Sequence, residues 1–142
     1  MTVISASANC KAKPELACSR ILSHAGLKAW WVGNVNITEL DPMWPAEGTK
    51  MNWRAGGGNF KAQIKTDARP LFVEMSVDTP GADSMIRHTF EALPEGGTCY
   101  TKSVEPIWRP GISRFLGPLF IPFLRAAVKK EVKNAVRFAD NG

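Results

Sequence analysis

Residues 111–141, GISRFLGPLFIPFLRAAVKKEVKNAVRFADN, contain the one long helix that this sequence predicts. A helix turns by about 100° per residue, which divides these residues between an apolar side and a basic side. At about 1.5 Å per residue the helix is about 30 Å long, and we expect a sheet to wrap around its apolar side. The apolar side holds Phe120, Leu124, Ala127, Val128, Val132, Ala135, Phe138 and Ala139, and the basic side holds Arg125, Lys129, Lys130, Lys133 and Arg137.

The composition is typical of a folded globular protein, since 44% of the 142 residues are hydrophobic and 22% are charged. This length predicts one domain over residues 1–142. The longest uncharged apolar run, residues 115–124, contains two prolines and is too short to span a membrane. No segment has the pattern of a secretion signal, so we expect a protein that is neither secreted nor membrane-spanning.

The cysteines Cys10, Cys18 and Cys99 are odd in number, form no C-x-x-C pair and have no histidine at ligand spacing. They predict reduced thiols in the cytoplasm, with no disulfide framework and no metal site. The chain also lacks a P-loop lysine and the G-x-S-x-G and H-E-x-x-H motifs, and a hairpin turn explains its glycine run at 56–58. We therefore expect no cofactor.

The net charge of +5 raises the question of nucleic acid or an anionic membrane as a partner. The basic residues are spread along the chain, and their one cluster is what the solvated side of the last helix would carry in any case. No RNA-binding, zinc-finger or helix-turn-helix pattern accompanies them. The sequence therefore predicts no nucleic-acid partner.

The order of predicted elements is one strand, two helices, six strands and the long helix. Pro14 suits the first turn of a helix, and Gly26 is interpreted as a stop before a second short helix, LKAWW. His24 is expected in the turn between them, facing solvent. Short turns between consecutive strands predict antiparallel neighbours. The strands are predicted at 2–8, 34–40, 49–54, 60–68, 71–78, 84–93 and 98–108, and the first helix at 14–23.

Four stretches resemble a known family: LKAWWVGNVNITEL with the EGT turn after it, the PEGGT turn and the LGPL segment. They resemble the SRPBCC superfamily of START and Bet v 1-like proteins, most closely its polyketide cyclase/dehydrase-like branch. The resemblance implies an α+β helix-grip fold, a seven-stranded antiparallel sheet curled around the C-terminal helix, with two short helices closing one end of a cavity. Members bind lipids, sterols, polyketides and other apolar or aromatic molecules, and some are cyclases or dehydratases. Pro118 and Pro122 depart from the usual final helix.

Alternation along the strands indicates which side chains face the interior. In residues 84–93 the apolar members share their side with His88, and in residues 98–108 Tyr100 and Lys102 share the corresponding side. These side chains either fill a core or line an adaptable apolar pocket, and the family resemblance favours the pocket. The interior sets are Ile86, His88 and Phe90; Tyr100, Lys102 and Val104; Met51 and Trp53; Phe60 and Ile64; and Val73, Met75 and Val77.

Glu131 is the one acidic residue on the apolar side of the long helix. A carboxylate there must be paired, hydrated or neutral, because an unpaired buried charge costs several kcal/mol. Lys102, His88 and Arg87 are the candidate partners. Three roles remain open: a structural ion pair, a polar group that contacts a ligand, and a general acid or base.

Three functions remain open from the sequence. The first is binding of a small hydrophobic or aromatic ligand, the second a cyclase or dehydratase reaction on such a ligand, and the third lipid transfer at membranes through FLGPLFIPFL and the basic helix side. The expected partner is the small ligand, without stable membrane insertion, and a homodimer is left open. The candidate catalytic residues are His88, Tyr100 and Glu131; the candidate ligand-binding residues are Trp31, Met51, Trp53, Phe60, Met75, His88, Phe90, Tyr100, Phe120, Leu124, Val128 and Glu131.

Overall fold

The computed structural model describes residues 2–31, 35–56, 58–79 and 82–141. Seven antiparallel strands form one sheet in the order β1-β7-β6-β5-β4-β3-β2, and the chain has the helix-grip α+β architecture that the resemblance implied. The elements are β1 (Ile4–Cys10), α1 (Pro14–Ile21), α2 (His24–Trp30), β2 (Asn36–Leu40), β3 (Lys50–Ala55), β4 (Gly58–Ala68), β5 (Phe72–Thr79), β6 (Ala82–Ala92), β7 (Thr98–Trp108), α3 (Ile112–Leu116), a 3-10 turn (Gly117–Phe120) and α4 (Ile121–Asn141).

The sheet curves so that its inner face surrounds α4. Register shifts between Ile37 and Glu39 in β2, and between Ile64 and Thr66 in β4, bend two of the strands. Helix α4 packs on β1 and β7 and against α1 and α2, which lie at the same end of the sheet. The predicted alternation holds on β6 and β7, where every second side chain is buried from Ile86 to Phe90 and from Thr98 to Val104.

The two short helices differ in detail from the prediction. Helix α1 ends at Ile21, and Ser23 caps α2 by accepting a hydrogen bond from the Gly26 backbone N–H at 3.0 Å. Gly26 therefore lies inside α2, and its interpretation as a stop is wrong. A Cβ at this position would lie 2.0 Å from the carbonyl oxygen of Arg20, so the glycine is needed for close packing of the two helices. His24 begins α2 and is exposed, as expected.

The C-terminal helix is interrupted near its start. Pro118 lies in the 3-10 turn and Pro122 in the first turn of α4, where their missing N–H groups break the helical hydrogen bonding. A 3-10 turn has about 3.0 residues per turn, whereas an α-helix has about 3.6. Residues before and within the turn therefore point in other directions than a continuous α-helix would give them. Phe120 is consequently 60% exposed, and its predicted place on the sheet-facing side is wrong. The buried residues of α4 are Val128, Glu131, Val132, Ala135 and Ala139.

The exposure of Phe120 gives a direct test of this altered phase. Phe120→Ala should change the free energy of unfolding by less than about 0.5 kcal/mol, as is usual for exposed positions. Val132→Ala, at a position 2% exposed, should lower it by about 1.5 kcal/mol or more. Urea unfolding of both variants measures the difference. Equal losses would indicate that Phe120 packs in the core.

Within the described ranges, no helix is long and apolar enough to cross a membrane.

Candidate functional site

A cavity of about 230 Å³ lies between the curved sheet and α4. Six of the residues predicted to bind a ligand line it, and a buried lysine and an acidic side chain are its charged members. The described lining comprises Trp31, Trp53, Ala55, Phe60, Val77, Ser84, Ile86, Lys102, Val104, Leu124, Val128 and Glu131.

Three aromatic side chains form one wall of this cavity. Trp53 in β3 is the direct cross-strand partner of Phe60 in β4, and their rings stack at 5.5 Å with 12° between the planes. Trp31, immediately after α2, contacts Trp53 at 4.4 Å between ring centroids. Trp30 stacks on Trp31 at 4.8 Å and is almost fully buried. Adjacent tryptophans thus serve two purposes, one filling the core and one facing the cavity.

Lys102 and Glu131 form an ion pair at the inner wall of the cavity. The Nζ of Lys102 donates to Oε1 of Glu131 at 2.7 Å, and the two side chains are 3% and 9% exposed. The same Nζ lies 4.3 Å from the ring centroid of Trp30 and 5.7 Å from that of Trp31. Carboxylate and indole faces together compensate an ammonium that has left water. Of the three predicted partners, Lys102 is the one that the structure brings to Glu131.

The other two candidate partners of Glu131 lie elsewhere. Arg87 is on the outer face of the sheet, where it pairs with Glu74 at 3.2 Å. His88 points inward, as predicted, and its Nδ1 is 2.7 Å from the hydroxyl of Tyr100. Both rings of this second pair are fully buried, and His88 Nε2 has no hydrogen-bond partner among the described residues.

The His88–Tyr100 pair is electrically neutral at physiological pH. Burial, and secondly the nearby charge of Lys102, hold the pKa of His88 well below 6.5. Burial, and secondly the charge of Glu131, hold the pKa of Tyr100 well above 10. Neither residue is part of the described cavity lining. The geometry therefore places these two catalytic candidates in the core behind the cavity, while Glu131 lies on its wall.

The remaining predicted ligand-binding residues separate into core and surface. Met51, Met75 and Phe90 are at most 1% exposed and fill the interior beyond the cavity, and Phe120 points outward. Strand alternation had placed Val77, Ile86, Lys102 and Val104 inside without assigning them to the site. Two further lining residues, Ala55 and Ser84, were missed altogether, although Ser84 shares its strand side with Ile86.

Metal binding has no support from side-chain geometry. In the part of the chain that the structure describes, no group of three His, Cys, Asp or Glu side chains is close enough together to hold an ion. The titratable side chains in the described cavity lining are Glu131 and Lys102.

No protein-family model and no curated protein sequence matches this chain. Solved structures match its fold. Protein CV1439 of Chromobacterium violaceum has a TM-score of 0.71 at 15% identity, covering 97% of this chain and 96% of that one. An uncharacterized protein of Rhizobium leguminosarum has a TM-score of 0.73 at 13% identity, covering 99% and 95%.

A third structural match comes from a biosynthetic gene cluster. DynU16, a protein of the dynemicin biosynthetic locus, has a TM-score of 0.69 at 16% identity. The match covers 96% of this chain but 46% of DynU16, so this chain spans a little under half of that protein. At such identities the likeness establishes the helix-grip fold.

Proposed function

We propose that this chain binds a small apolar or aromatic molecule in the cavity between the sheet and α4. We further propose that it is a START/Bet v 1-like protein of the SRPBCC superfamily, close to the polyketide cyclase-like branch and acting in the cytoplasm. The fold and the origin of DynU16 in a biosynthetic locus support this assignment. The observation that carries the ligand proposal is the aromatic-lined cavity with one buried ion pair on its wall.

The size of the cavity limits the ligand. Pockets for drug-sized molecules measure about 300–1,000 Å³, and this one is about 230 Å³. The rings of Trp31, Trp53 and Phe60 offer flat apolar faces on one side. A compact ligand of one or two fused rings fits these dimensions better than a sterol or a diacyl lipid.

The ion pair suggests one polar group on the ligand. A lysine ammonium carries several N–H donors and no acceptor, and Lys102 uses one donor on Glu131. A donor that remains can bind a carbonyl or phenolic oxygen in the cavity. Since the pair as a whole is neutral, a ligand that carries a hydroxyl or ketone is favoured over one that carries a full charge. Aromatic polyketide fragments have this chemistry.

Matched probes test the proposal by calorimetry. We expect 2-naphthol to bind with micromolar affinity, and naphthalene to bind about tenfold more weakly because it lacks the oxygen that Lys102 recognises. Native mass spectrometry of protein purified without added ligand supplies the natural occupant. If neither probe binds and the purified protein retains no molecule, the proposal of a ligand-binding cavity is contradicted.

Filling the cavity should abolish binding without unfolding the protein. Ser84→Leu adds bulk to the lining, and we expect 2-naphthol affinity to fall at least tenfold. Ser76→Leu is the matched control, because Ser76 lies on β5 between buried Met75 and Val77 and so faces outward. Tryptophan emission should respond to 2-naphthol in the control and not in Ser84→Leu. Equal responses would place the ligand elsewhere.

A cyclase or dehydratase activity is the alternative, and Glu131 supports it because its carboxylate lies on the cavity wall. His88 and Tyr100 would need a route to the ligand past Trp30, which stands 5.7 Å from His88. Incubating the protein with its retained ligand and following the ligand mass distinguishes the two functions. An unchanged mass supports binding, and loss of water or ring closure supports catalysis.

A further inference from the structure

A run of large apolar side chains is exposed where the chain enters α4. We call Phe115, Leu116, Leu119, Phe120 and Phe123 the apolar segment. Their exposed fractions are 80%, 46%, 68%, 60% and 73%, respectively. Monomeric proteins rarely expose a contiguous apolar patch of this kind without a partner for it.

The apolar segment is held in this exposed position by the packing beneath it. Gly117 is buried against Trp108 at the end of β7, where a Cβ would lie 2.3 Å from the indole ring. The close contact fixes the 3-10 turn on the sheet and directs its large neighbours outward. Phe120 and Phe123 contact each other at 6.5 Å between centroids, forming one surface.

The exposed charged residues between positions 111 and 139 are all basic. Positions seven residues apart on a helix differ by only about 20° in direction, so Phe123, Lys130 and Arg137 lie in one line along α4. The only acidic residue between positions 111 and 139 is Glu131, which is buried against Lys102. The exposed basic residues beside the segment are Arg114, Arg125, Lys129, Lys130, Lys133 and Arg137.

We propose that the apolar segment docks on the surface of an anionic phospholipid membrane. The phenylalanine and leucine side chains enter the boundary between headgroups and acyl chains, and the basic side of α4 contacts lipid phosphates. A second copy of this chain is a poorer occupant, because a symmetric contact would bring two sets of six positive charges together. The docking is peripheral and reversible, and it does not depend on the internal cavity holding a ligand.

Vesicle flotation tests the proposal with the full chain. The vesicles are phosphatidylcholine alone and phosphatidylcholine with phosphatidylglycerol at a ratio of about 3:1. We expect the protein to bind the anionic vesicles and to dissociate as salt rises, since charge supplies part of the affinity. Phe115→Ser with Phe123→Ser should lower partitioning at least about tenfold, and Lys130→Glu about fivefold.

Matched controls lie at the other end of the sheet. Leu71 is 67% exposed in the turn before β5, and the adjacent Phe72 pairs with Thr89 near the end of β6. The apolar segment lies near Trp108, which pairs with Ala82 at the start of β6. Leu71→Ser and Lys50→Glu make comparable changes at exposed positions, and both should leave partitioning within about twofold of the unmodified chain.

Three outcomes would overturn the docking surface. One is the absence of binding to anionic vesicles, and another is an equal loss in the control variants. The third is a dimer in light scattering that Phe115→Ser with Phe123→Ser converts to a monomer while vesicles are not bound. That result would assign the apolar segment to contact between copies of the chain.

Discussion

Glu131→Ala is expected to lower the free energy of unfolding by about 3 kcal/mol or more. The substitution leaves the Lys102 ammonium at 3% side-chain exposure without the carboxylate that compensates it, and breaking a buried pair from one side costs about 3–5 kcal/mol. The indole faces of Trp30 and Trp31 supply only part of that compensation. Urea unfolding at pH 7 measures the loss.

Two further variants separate the charge from the shape of the side chain. Glu131→Gln keeps the volume and an acceptor oxygen for Lys102, so the loss should be smaller than in Glu131→Ala. Lys102→Met with Glu131→Leu removes both charges and should recover most of the stability, because a well-packed apolar pair often replaces a buried ion pair at little cost.

An exposed ion pair on the same sheet is the control. Arg87 and Glu74 lie 3.2 Å apart at 48% and 30% side-chain exposure. Glu74→Ala should cost less than about 1 kcal/mol, since water solvates both partners once they separate. If Glu131→Ala costs no more than Glu74→Ala, the carboxylate of Glu131 is solvated and does not lie on the buried side of α4.

Sequence patterns predicted the interior of the central strands well. A period of two placed His88, Tyr100 and Lys102 on the inner face, because both strands are long, regular and directly paired. The helical period also placed Glu131 inside, since α4 runs without interruption from Ile121. Lys102 could be predicted as a partner of Glu131 because the strand period placed Lys102 inside and the helix period placed Glu131 inside.

The same patterns could not predict how far the cavity extends. Alternation reports which side of the sheet a residue faces and says nothing of depth along the strand, so Met51 and Met75 were grouped with Trp53. The boundary is set by Trp30, whose indole N–H donates to the Ile21 carbonyl at 2.8 Å and holds the ring in the interior. That contact joins two helices and has no local sequence signal. The prediction that Phe120 faces the sheet was wrong because the segment around Pro118 is a 3-10 turn and not α-helix.

His88 should make the stability fall as pH drops below about 6.5. The pKa of His88 in the folded protein lies well below 6.5 because the ring is buried, and secondly because Lys102 is nearby. Below pH 6.5 the unfolded chain binds a proton that the folded chain excludes. The contribution of neutral His88 to the free energy of unfolding is therefore complete above pH 6.5. Below pH 6.5 it falls by up to about 1.4 kcal/mol per pH unit, until the pH reaches the pKa of His88 in the folded protein.

The groups around His88 give the folded state no means of accepting that proton. Tyr100 faces Nδ1 and keeps its own proton, since burial raises its pKa well above 10. Lys102, on the paired strand, is already engaged with Glu131, and Trp30 covers the ring. A positive charge on His88 would lie beside the positive charge of Lys102, which is already paired with Glu131.

Unfolding measured from pH 7.5 to pH 5.0 in three proteins tests this dependence. Carboxylates contribute equally to all three, so below pH 6.5 the unmodified chain should lose more stability than His88→Gln, by up to about 1.4 kcal/mol per pH unit. His24→Gln is the control, because His24 is exposed at the start of α2, and its profile should match that of the unmodified chain. Nitrogen chemical shifts of the ring give an independent measurement, and a charged His88 imidazole in the folded protein at pH 5.5 would contradict the prediction.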